Sequence, residues 1–352
     1  MSALSELRPA RVAIGLNAVL AVVERERPKV LCVRSETGLW RLPYGPFDPA
    51  RHRTFEIGLR EWVEKQTRVS LGYVEQLYTF GDKGREAPLA ALAGGSDGDR
   101  IVSVGYLALA SEPAAVDAAD TAWRDWYEFF PWEDWRGGEP TCLSGAILPA
   151  LARWAASTRA PATAATRRDR IRLAFGLDGA GWEEERALDR YELMYEAGLV
   201  AEAARDRNLQ PARALEGTGA DMASDHRRIL ATAIGRLRGK LKYRPIVFEL
   251  TPPEFTLLAL QRIVEAIVGF ELHKQNFRRS VEQSGLVLRT GRTAQQTGGR
   301  PAALYKVNRA ALKDRAGKGL VIPRLRVAPA LSLAEITPRR GEPGGAAGRR
   351  AS

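Results

Sequence analysis

The sequence predicts an α+β fold in which a strand-rich segment is followed by helices. Runs rich in Val, Ile and Leu lie on both sides of one early helical pattern, an order that favours a sheet sandwich over alternating parallel β-α units. From about residue 143 onward, most apolar residues recur at helical spacing. A chain of 352 residues exceeds the usual size of a single core, so two or more domains are expected.

The first third of the chain alternates apolar runs with turn signals. An N-terminal arm (residues 1–10) and a Gly- and Asp-rich loop (residues 86–100) are too polar to pack. The remaining pattern predicts strands at 11–23, 28–34, 74–80, 101–110 and 123–131, a strand edge at 39–45 and a helix at 54–66.

A helical insertion is predicted between the strand-rich segment and the last third of the chain. The pattern indicates helices at 143–156, 167–176 and 182–204, with a linker at 158–166. With roughly 75 residues, the insertion is smaller than most independent domains. We therefore favour packing onto the sheet domain over the alternatives of a pocket cover, a dimer surface or a partner site.

Composition and charge exclude several classes of protein and of site. The net charge of +11 favours nucleic acid or another acidic partner. Cys32 and Cys142 are far apart, which argues against a disulfide framework or a cysteine-based zinc site, and three scattered histidines argue against a metal centre. No apolar run approaches the roughly 18 residues of a membrane span and no signal region is visible, so a cytoplasmic protein without a metal or cofactor is expected.

The segment 251–307 carries the clearest functional pattern. Thr251 and Glu254 have capping-box spacing with prolines in the first turn, which predicts a helix start. The apolar face that follows ends at Gly269. A second, polar helix follows and ends at Ser284-Gly285.

Two short strands, 286–288 and 304–307, then enclose a Gly- and Thr-rich loop. This order is typical of a winged helix-turn-helix, in which a polar helix enters the DNA major groove. Seven Lys/Arg against two acids between Glu271 and Lys306 suit a polyanion. A small helical subdomain with a solvated basic face is the alternative. The predicted DNA-binding residues are Lys274, Gln275, Asn276, Arg278, Arg279, Arg289, Arg292 and Arg300.

Two flanking segments complete the chain. Residues 221–243 predict a basic helix that connects the two parts of the protein, either as a transmission element or as a plain linker. The tail is basic, and residues 337–352 have the composition of a disordered segment whose arginines add non-specific DNA affinity.

Several longer motifs resemble one known family. The order of elements in the first part of the chain is similar to that of a Nudix domain. These elements are a strand, the LW-x-LP-x-G loop at 39–45, a helix and YVEQLYTFGD at 73–82. The Nudix-related transcriptional regulators of NAD metabolism share further pieces, and the resemblance covers about residues 11–135 and 220–308. These pieces are DHRRIL (225–230) with RLRGKLKY (236–243), EFTLLALQ (254–261), and NFRR (276–279) with GGRPAALY (298–305).

The resemblance implies a Nudix-like α/β/α sandwich with a helical insertion, followed by a winged helix-turn-helix domain. It also implies a homodimeric DNA-binding repressor that responds to ADP-ribose or a related nucleotide. The weakly predicted ligand-binding residues are Arg41, Tyr44, Glu75 and Arg85. The expected domains are a sensor at 1–136, the insertion at 137–219, a connecting helix at 220–244, the winged helix at 245–310 and the basic tail at 311–352.

The chain departs from the family of hydrolases at the Nudix box, R-E-U-x-E-E-x-G-U. Tandem glutamates of that box hold the divalent metal. With Arg68 at the glycine position, Lys65 and Gln66 replace these glutamates. A frame that begins at Arg60 retains Glu64 but still places Lys65 at the second carboxylate. We therefore predict no enzymatic activity, and the alternative is a Nudix-type nucleotide pyrophosphatase acting on ADP-ribose-like substrates.

Overall fold

A computed structural model describes most of the chain. The described residues are 12–82, 85, 100–116, 119–207, 215–294, 301–314 and 332–336. The predicted N-terminal arm, nearly all of the 86–100 loop, Arg300 and the 337–352 tail lie outside them. No helix in the described part of the chain is long and apolar enough to cross a membrane.

The strand-rich segment forms one mixed sheet of seven strands. Its central strands run in the order β3-β2-β1-β6-β5, while β4 pairs with β1 and β7 pairs with β2. The central β1–β6 pair is parallel, and the other pairs are antiparallel. The strands are β1 (Val12–Glu24), β2 (Arg27–Arg34), β3 (Trp40–Arg41), β4 (Tyr44–Pro46), β5 (Tyr73–Phe80), β6 (Arg100–Leu109) and β7 (Thr121–Asp125).

Helices cover both faces of this sheet. Helix α1 (Phe55–Thr67) is capped by Thr54 and buries Leu59 and Val63 against one face. The other face is covered by α7 (His226–Tyr243), the helix predicted to connect the two parts of the protein. The chain thus has the predicted α/β/α sandwich.

A glycine in β6 permits the close approach of α7. A Cβ added at Gly105 would lie 3.2 Å from Ile229 Cγ2 and 3.2 Å from the Phe80 ring. The first half of α7 therefore packs directly on the sheet, and its second half reaches the C-terminal helices.

The strand predicted over 123–131 is shorter than expected. Strand β7 ends at Asp125, whose carboxylate accepts a hydrogen bond from Tyr127 N at 2.9 Å and starts helix α2 (Trp126–Phe129). A 3₁₀ turn, Pro131–Glu133, follows. Aromatic residues are common in strands, but here they bury their rings from a helical turn because an aspartate N-cap precedes them.

The insertion is helical, and its predicted linker was wrong. Residues 161–166 form the first turns of α4, because Pro161 is well placed at a helix start. The predicted helix at 182–204 is also divided, with Gly198 at φ +74° between its two halves. After a π-helical turn at Leu143–Ile147, the helices are α3 (Leu148–Ala156), α4 (Pro161–Phe175), α5 (Ala187–Glu196) and α6 (Ala201–Asp206), with a 3₁₀ turn at Glu184–Arg186.

The last third contains the predicted helix-turn-helix and hairpin. A 3₁₀ turn, Ile246–Leu250, precedes them, and Phe255 pairs with Tyr305 as a third, isolated strand position. The elements are α8 (Leu257–Val268), α9 (Lys274–Ser284), β8 (Val287–Ala294) and β9 (Ala302–Val307), and short helices α10 (Arg309–Asp314) and α11 (Leu333–Ile336) follow.

The predicted start of α8 was wrong by five residues. Its N-cap is Thr256, whose hydroxyl accepts a hydrogen bond from Ala259 N at 3.1 Å. Thr251 closes the preceding 3₁₀ turn instead, with its hydroxyl on Phe248 O at 2.9 Å. The pairing of Phe255 with Tyr305 holds the chain before Thr256 extended, so the helix cannot begin at Thr251.

Candidate effector pocket and nucleic-acid interface

Helix α9 presents a polar face to solvent. Phe277 and Val281 are its buried residues, and they anchor the helix against α8. Within the described chain, no carboxylate lies within ion-pair distance of Lys274, Arg278 or Arg279. The predicted DNA-facing residues of this helix are all exposed, namely Lys274, Gln275, Asn276, Arg278 and Arg279.

The arginines of the hairpin are exposed but held by acids. Arg289 Nε donates to Tyr305 Oη at 3.0 Å, and its guanidinium also contacts Glu282 at 3.3 Å. Arg292 forms a 2.9 Å ion pair with Glu254. A phosphate that binds these side chains must therefore compete with a carboxylate, which is not the case on α9.

The turn between α8 and α9 is fixed by buried polar side chains. Glu265 Oε1 accepts hydrogen bonds from Leu272 N and Gln261 Nε2, both at 2.8 Å, and Gln261 Nε2 also donates to Leu272 O at 2.9 Å. Gly269 ends α8 in the left-handed region at φ +83°. These contacts determine the angle at which α9 leaves α8.

A cavity lies between the sheet and the N-terminus of α7. Asn17 is 3% exposed, and its Nδ2 has no hydrogen-bond partner among the described residues. Arg41 lies beside the cavity, where its Nη1 donates to Tyr44 Oη at 3.2 Å and its guanidinium stacks on that ring. The cavity is lined by Gly15, Asn17, Tyr44, Ile101, Ser103, Ser224, Asp225, His226 and Ile229.

His226 is held neutral at the cavity wall. Leu42 N donates to its Nδ1 at 3.3 Å, so the ring proton is on Nε2. Burial lowers the pKa of His226 to about 3, because the low-dielectric interior disfavours the imidazolium. The imidazole is therefore a fixed hydrogen-bond donor at neutral pH.

We expect His226 to make the protein less stable in mild acid. A histidine whose pKa is lowered on folding stabilises the fold above pH 6.5, and this contribution is lost progressively as the pH falls toward 3. Between pH 6.5 and 5 the loss is about 2 kcal/mol. Denaturant unfolding at both pH values should show this loss in the wild type and a much smaller one in His226→Gln. The exposed His273→Gln variant is the control, and equal slopes in His226→Gln and wild type would contradict the prediction.

Arg85 belongs to a cluster of charges at the same end of α7. It forms ion pairs with Asp225 at 3.2 Å and Glu192 at 3.0 Å. Arg228 also contacts both acids, and its guanidinium binds Asp82. Burial raises the pKa of Asp225 to about 7 in spite of the two arginines.

The four predicted ligand residues do not all converge. Tyr44 lines the cavity, Arg41 contacts Tyr44, and Arg85 contacts the lining residue Asp225. Glu75 instead forms an ion pair with Lys240 on the second half of α7 and is not among the lining residues.

The sequence analysis missed Asn17, Ser103 and His226. An amide inside the apolar run of β1 was the available signal for Asn17, because buried amides require hydrogen-bond partners. Ser103 gave no such signal in β6. His226 lies within the DHRRIL motif, which was part of the family resemblance and of the predicted basic helix, but no ligand-binding role was predicted for it.

The helix that was compared with the Nudix box ends at a left-handed residue. Arg68 adopts φ +62°, a conformation that favours glycine. Arg68 thus has the backbone conformation expected at the glycine position in the frame that places Lys65 and Gln66 at the tandem glutamates. Gln66 pairs with the backbone of Tyr44, accepting from its N at 3.2 Å and donating to its O at 2.6 Å.

Trp62 fills the space beside the same strand. Its ring occupies the position that a Cβ at Gly45 would need, and its Nε1 donates to Pro46 O at 2.7 Å. Glu61 contacts Arg51 and His52. Among the described residues there is no group of three or more His, Cys, Asp or Glu side chains arranged to hold a metal ion.

Comparison with known proteins supports this architecture. Residues 247–307 match the family model of the NrtR DNA-binding winged helix domain. The ADPR responsive transcriptional repressor NtrR of Acinetobacter baylyi is 44% identical over 86 residues, which are 24% of this chain and 34% of that protein. The chain thus matches about a third of the length of this curated relative.

Solved structures agree on the fold. NrtR of Shewanella oneidensis in complex with a 27mer DNA has a TM-score of 0.52 and 22% identity, and the match covers 88% of this chain and 99% of that one. The same protein without DNA has a TM-score of 0.50 and 22% identity, with coverage of 87% and 98%. Residues 247–307 are therefore similar to the NrtR winged helix domain, and the chain as a whole shares its fold with NrtR of Shewanella oneidensis.

Proposed function

We propose that this protein is a DNA-binding transcriptional regulator of NAD metabolism that binds operator DNA through α9. The observation that carries this proposal is the exposed face of α9, where cations and amides have no acidic partner within the described chain. Arg, Asn and Gln on a major-groove helix can form bidentate hydrogen bonds with base edges. In the proposal, Lys274, Gln275, Asn276, Arg278 and Arg279 bind the duplex, and Arg289, Arg292 and Arg300 contact phosphates.

The sensor domain binds ADP-ribose or a related NAD-type nucleotide at the cavity near the N-terminus of α7, which measures about 10 Å³ in this structure and must widen to admit a nucleotide. Asn17 Nδ2 and Arg41 Nε are buried N–H groups without a partner among the described residues, and they suit the oxygens of a ribose or a phosphate. His226 Nε2–H supplies a further donor. The similarity to an ADPR responsive repressor supports the choice of nucleotide and a repressor role.

The same proposal includes a homodimer and the domain division predicted above. Two winged helices related by a two-fold axis would bind a palindromic operator. The sensor at 1–136 and the helix at 220–244 form one sandwich, the insertion at 137–219 packs against it, and the winged helix at 245–310 and the basic tail at 311–352 follow.

We expect the protein to bind ADP-ribose without hydrolysing it. At the Nudix box, Gln66 is engaged by the Tyr44 backbone and Lys65 adds a positive charge where a metal ion would bind. Incubation with ADP-ribose and Mg²⁺ should release no AMP above the blank. Steady AMP release that disappears in Glu64→Gln would overturn this expectation and favour a pyrophosphatase.

The regulatory function itself is tested with labelled duplexes from upstream of NAD-synthesis genes. Fluorescence anisotropy should show binding of one upstream duplex at least tenfold tighter than binding of a shuffled sequence. Addition of ADP-ribose should change that affinity and raise the melting temperature of the protein. Equal affinity for all duplexes would contradict the DNA-binding part, and an unchanged melting temperature would contradict the effector part.

A further inference from the structure

A buried group of three charged side chains joins the insertion to the rest of the protein. Glu133 accepts hydrogen bonds from Arg190 Nε at 2.6 Å and Arg190 Nη2 at 2.9 Å, and it forms an ion pair with Arg238. All three side chains are 0% exposed. Arg190 lies on α5 of the insertion and Arg238 on α7, so one carboxylate of the sensor connects both.

The same group holds the C-terminal end of α8. Arg238 Nε donates to Ile267 O at 2.8 Å, which places a cation at the negative end of the helix dipole. Tyr127 Oη donates to Ala266 O at 2.8 Å, and Trp135 N donates to Gly269 O at 2.7 Å. The turn that leads into α9 is therefore held by the sensor segment 127–135 and α7.

Aromatic rings make a second, independent connection from the insertion to this turn. The centroids of Phe175 and Trp182 are 6.4 Å apart, those of Trp182 and Trp135 are 4.7 Å apart, and those of Trp135 and Phe270 are 5.9 Å apart. Phe270 lies in the α8–α9 turn. The Arg190 guanidinium stacks on Trp182 at 3.9 Å, so the ionic and aromatic connections meet at Arg190.

The insertion also packs tightly along α7. A Cβ at Gly235 would overlap Glu185 O, and Lys242 forms an ion pair with Glu184 at 2.9 Å. Contacts on two sides of Arg238, one ionic and one steric, leave α7 and the insertion little freedom to move separately.

We propose that the helical insertion sets the orientation of α9 and that Arg190 is a positioning residue for DNA recognition. Arg190 holds both oxygens of the Glu133 carboxylate, which in turn holds Arg238 against the end of α8. Loss of Arg190 leaves Glu133 and Arg238 as a neutral pair but removes the link from α5 of the insertion to the α8–α9 turn that runs through the Glu133 carboxylate. Two measurements test the proposal, and only the second, which compares DNA affinities, rests on the proposed DNA-binding function.

The first readout measures the orientation of α9 directly. Spin labels are placed at Arg168→Cys on α4 and Gln283→Cys on α9, both exposed, in a Cys142→Ser background. The labelled chains are diluted with unlabelled protein so that only distances within one chain are recorded. Arg190→Met should broaden the distance distribution. Arg186→Met, which removes a surface arginine from the same insertion, should leave the distribution unchanged.

The second readout is the ratio of operator affinity to shuffled-DNA affinity, measured well below the melting temperature. We expect Arg190→Met to lower this ratio about tenfold, Arg190→Lys to recover part of it, and binding to shuffled DNA to change little. A role in stability alone would lower the melting temperature and leave the ratio constant.

Lys242→Ala is a milder variant that loosens the insertion without disturbing the buried charges. An unchanged distance distribution in every variant that folds would overturn the proposal, whatever DNA the protein binds.

Discussion

Replacing Arg278 and Arg279 together by alanine should weaken operator binding at least thirtyfold. Each arginine that contacts a base contributes about 1–3 kcal/mol, and 1.4 kcal/mol corresponds to a factor of ten in affinity. Both side chains are exposed on α9, away from the buried anchors Phe277 and Val281, so the fold should tolerate the change. Anisotropy titration with operator and shuffled duplexes measures the effect.

The two duplexes separate the kinds of contact that the arginines make. A loss confined to the operator duplex assigns the arginines to bases, while an equal loss on both duplexes assigns them to phosphates. The double variant Arg168→Ala/Arg186→Ala, which removes two arginines from the insertion, is the charge-matched control and should bind like the wild type. Unchanged operator affinity in the double variant would remove α9 from the DNA interface.

Gly269→Ala should destabilise the protein by roughly 3 kcal/mol or more. Two penalties add at this position. A non-glycine residue at φ +83° carries backbone strain of about 1 kcal/mol or more, and the new Cβ would overlap Glu133 O at the point where the sensor segment contacts the α8–α9 turn. The loss is expected in the free energy of unfolding by denaturant and in the melting temperature.

Gly291→Ala isolates the first of these penalties, the backbone strain. Gly291 also has a positive φ, +80°, but a Cβ there meets nothing within 4 Å. It should therefore cost only the backbone strain, about 1 kcal/mol. If the two variants were equally stable, the close contact between Gly269 and the sensor segment would not contribute to the fold.

Local sequence signals were sufficient for most elements and failed where two signals competed. Thr54 and the apolar spacing after it predicted α1, because capping and periodicity agreed there. Thr251 carried the predicted cap, but Thr256 is the cap in the structure, where the strand pairing of Phe255 with Tyr305 keeps the chain before Thr256 extended. A pairing partner 50 residues away is not visible to a local rule.

The two candidate sites also differ in how much of them could be predicted from the sequence. The exposure of the polar residues of α9 could be predicted because a polar face is a property of one helix and its periodicity. The cavity could not, because it brings together Asn17 of β1, Tyr44 of β4, Ser103 of β6 and His226 of α7, which only the sheet order places side by side. For that reason Glu75 was included and Asn17 was omitted.

The amino-acid sequence alone determined that this protein has an early strand-rich domain and a basic helix-turn-helix, because each depends on residues close together in the chain. Only the tertiary structure decided that the sheet is mixed and where the cavity lies. It also decided that Glu133 joins the insertion, α7 and α8. Glu133 is buried together with two arginines that come from two other segments. Leaving one of these charges buried without its partner would destabilise the fold, so the three segments must pack together in this arrangement.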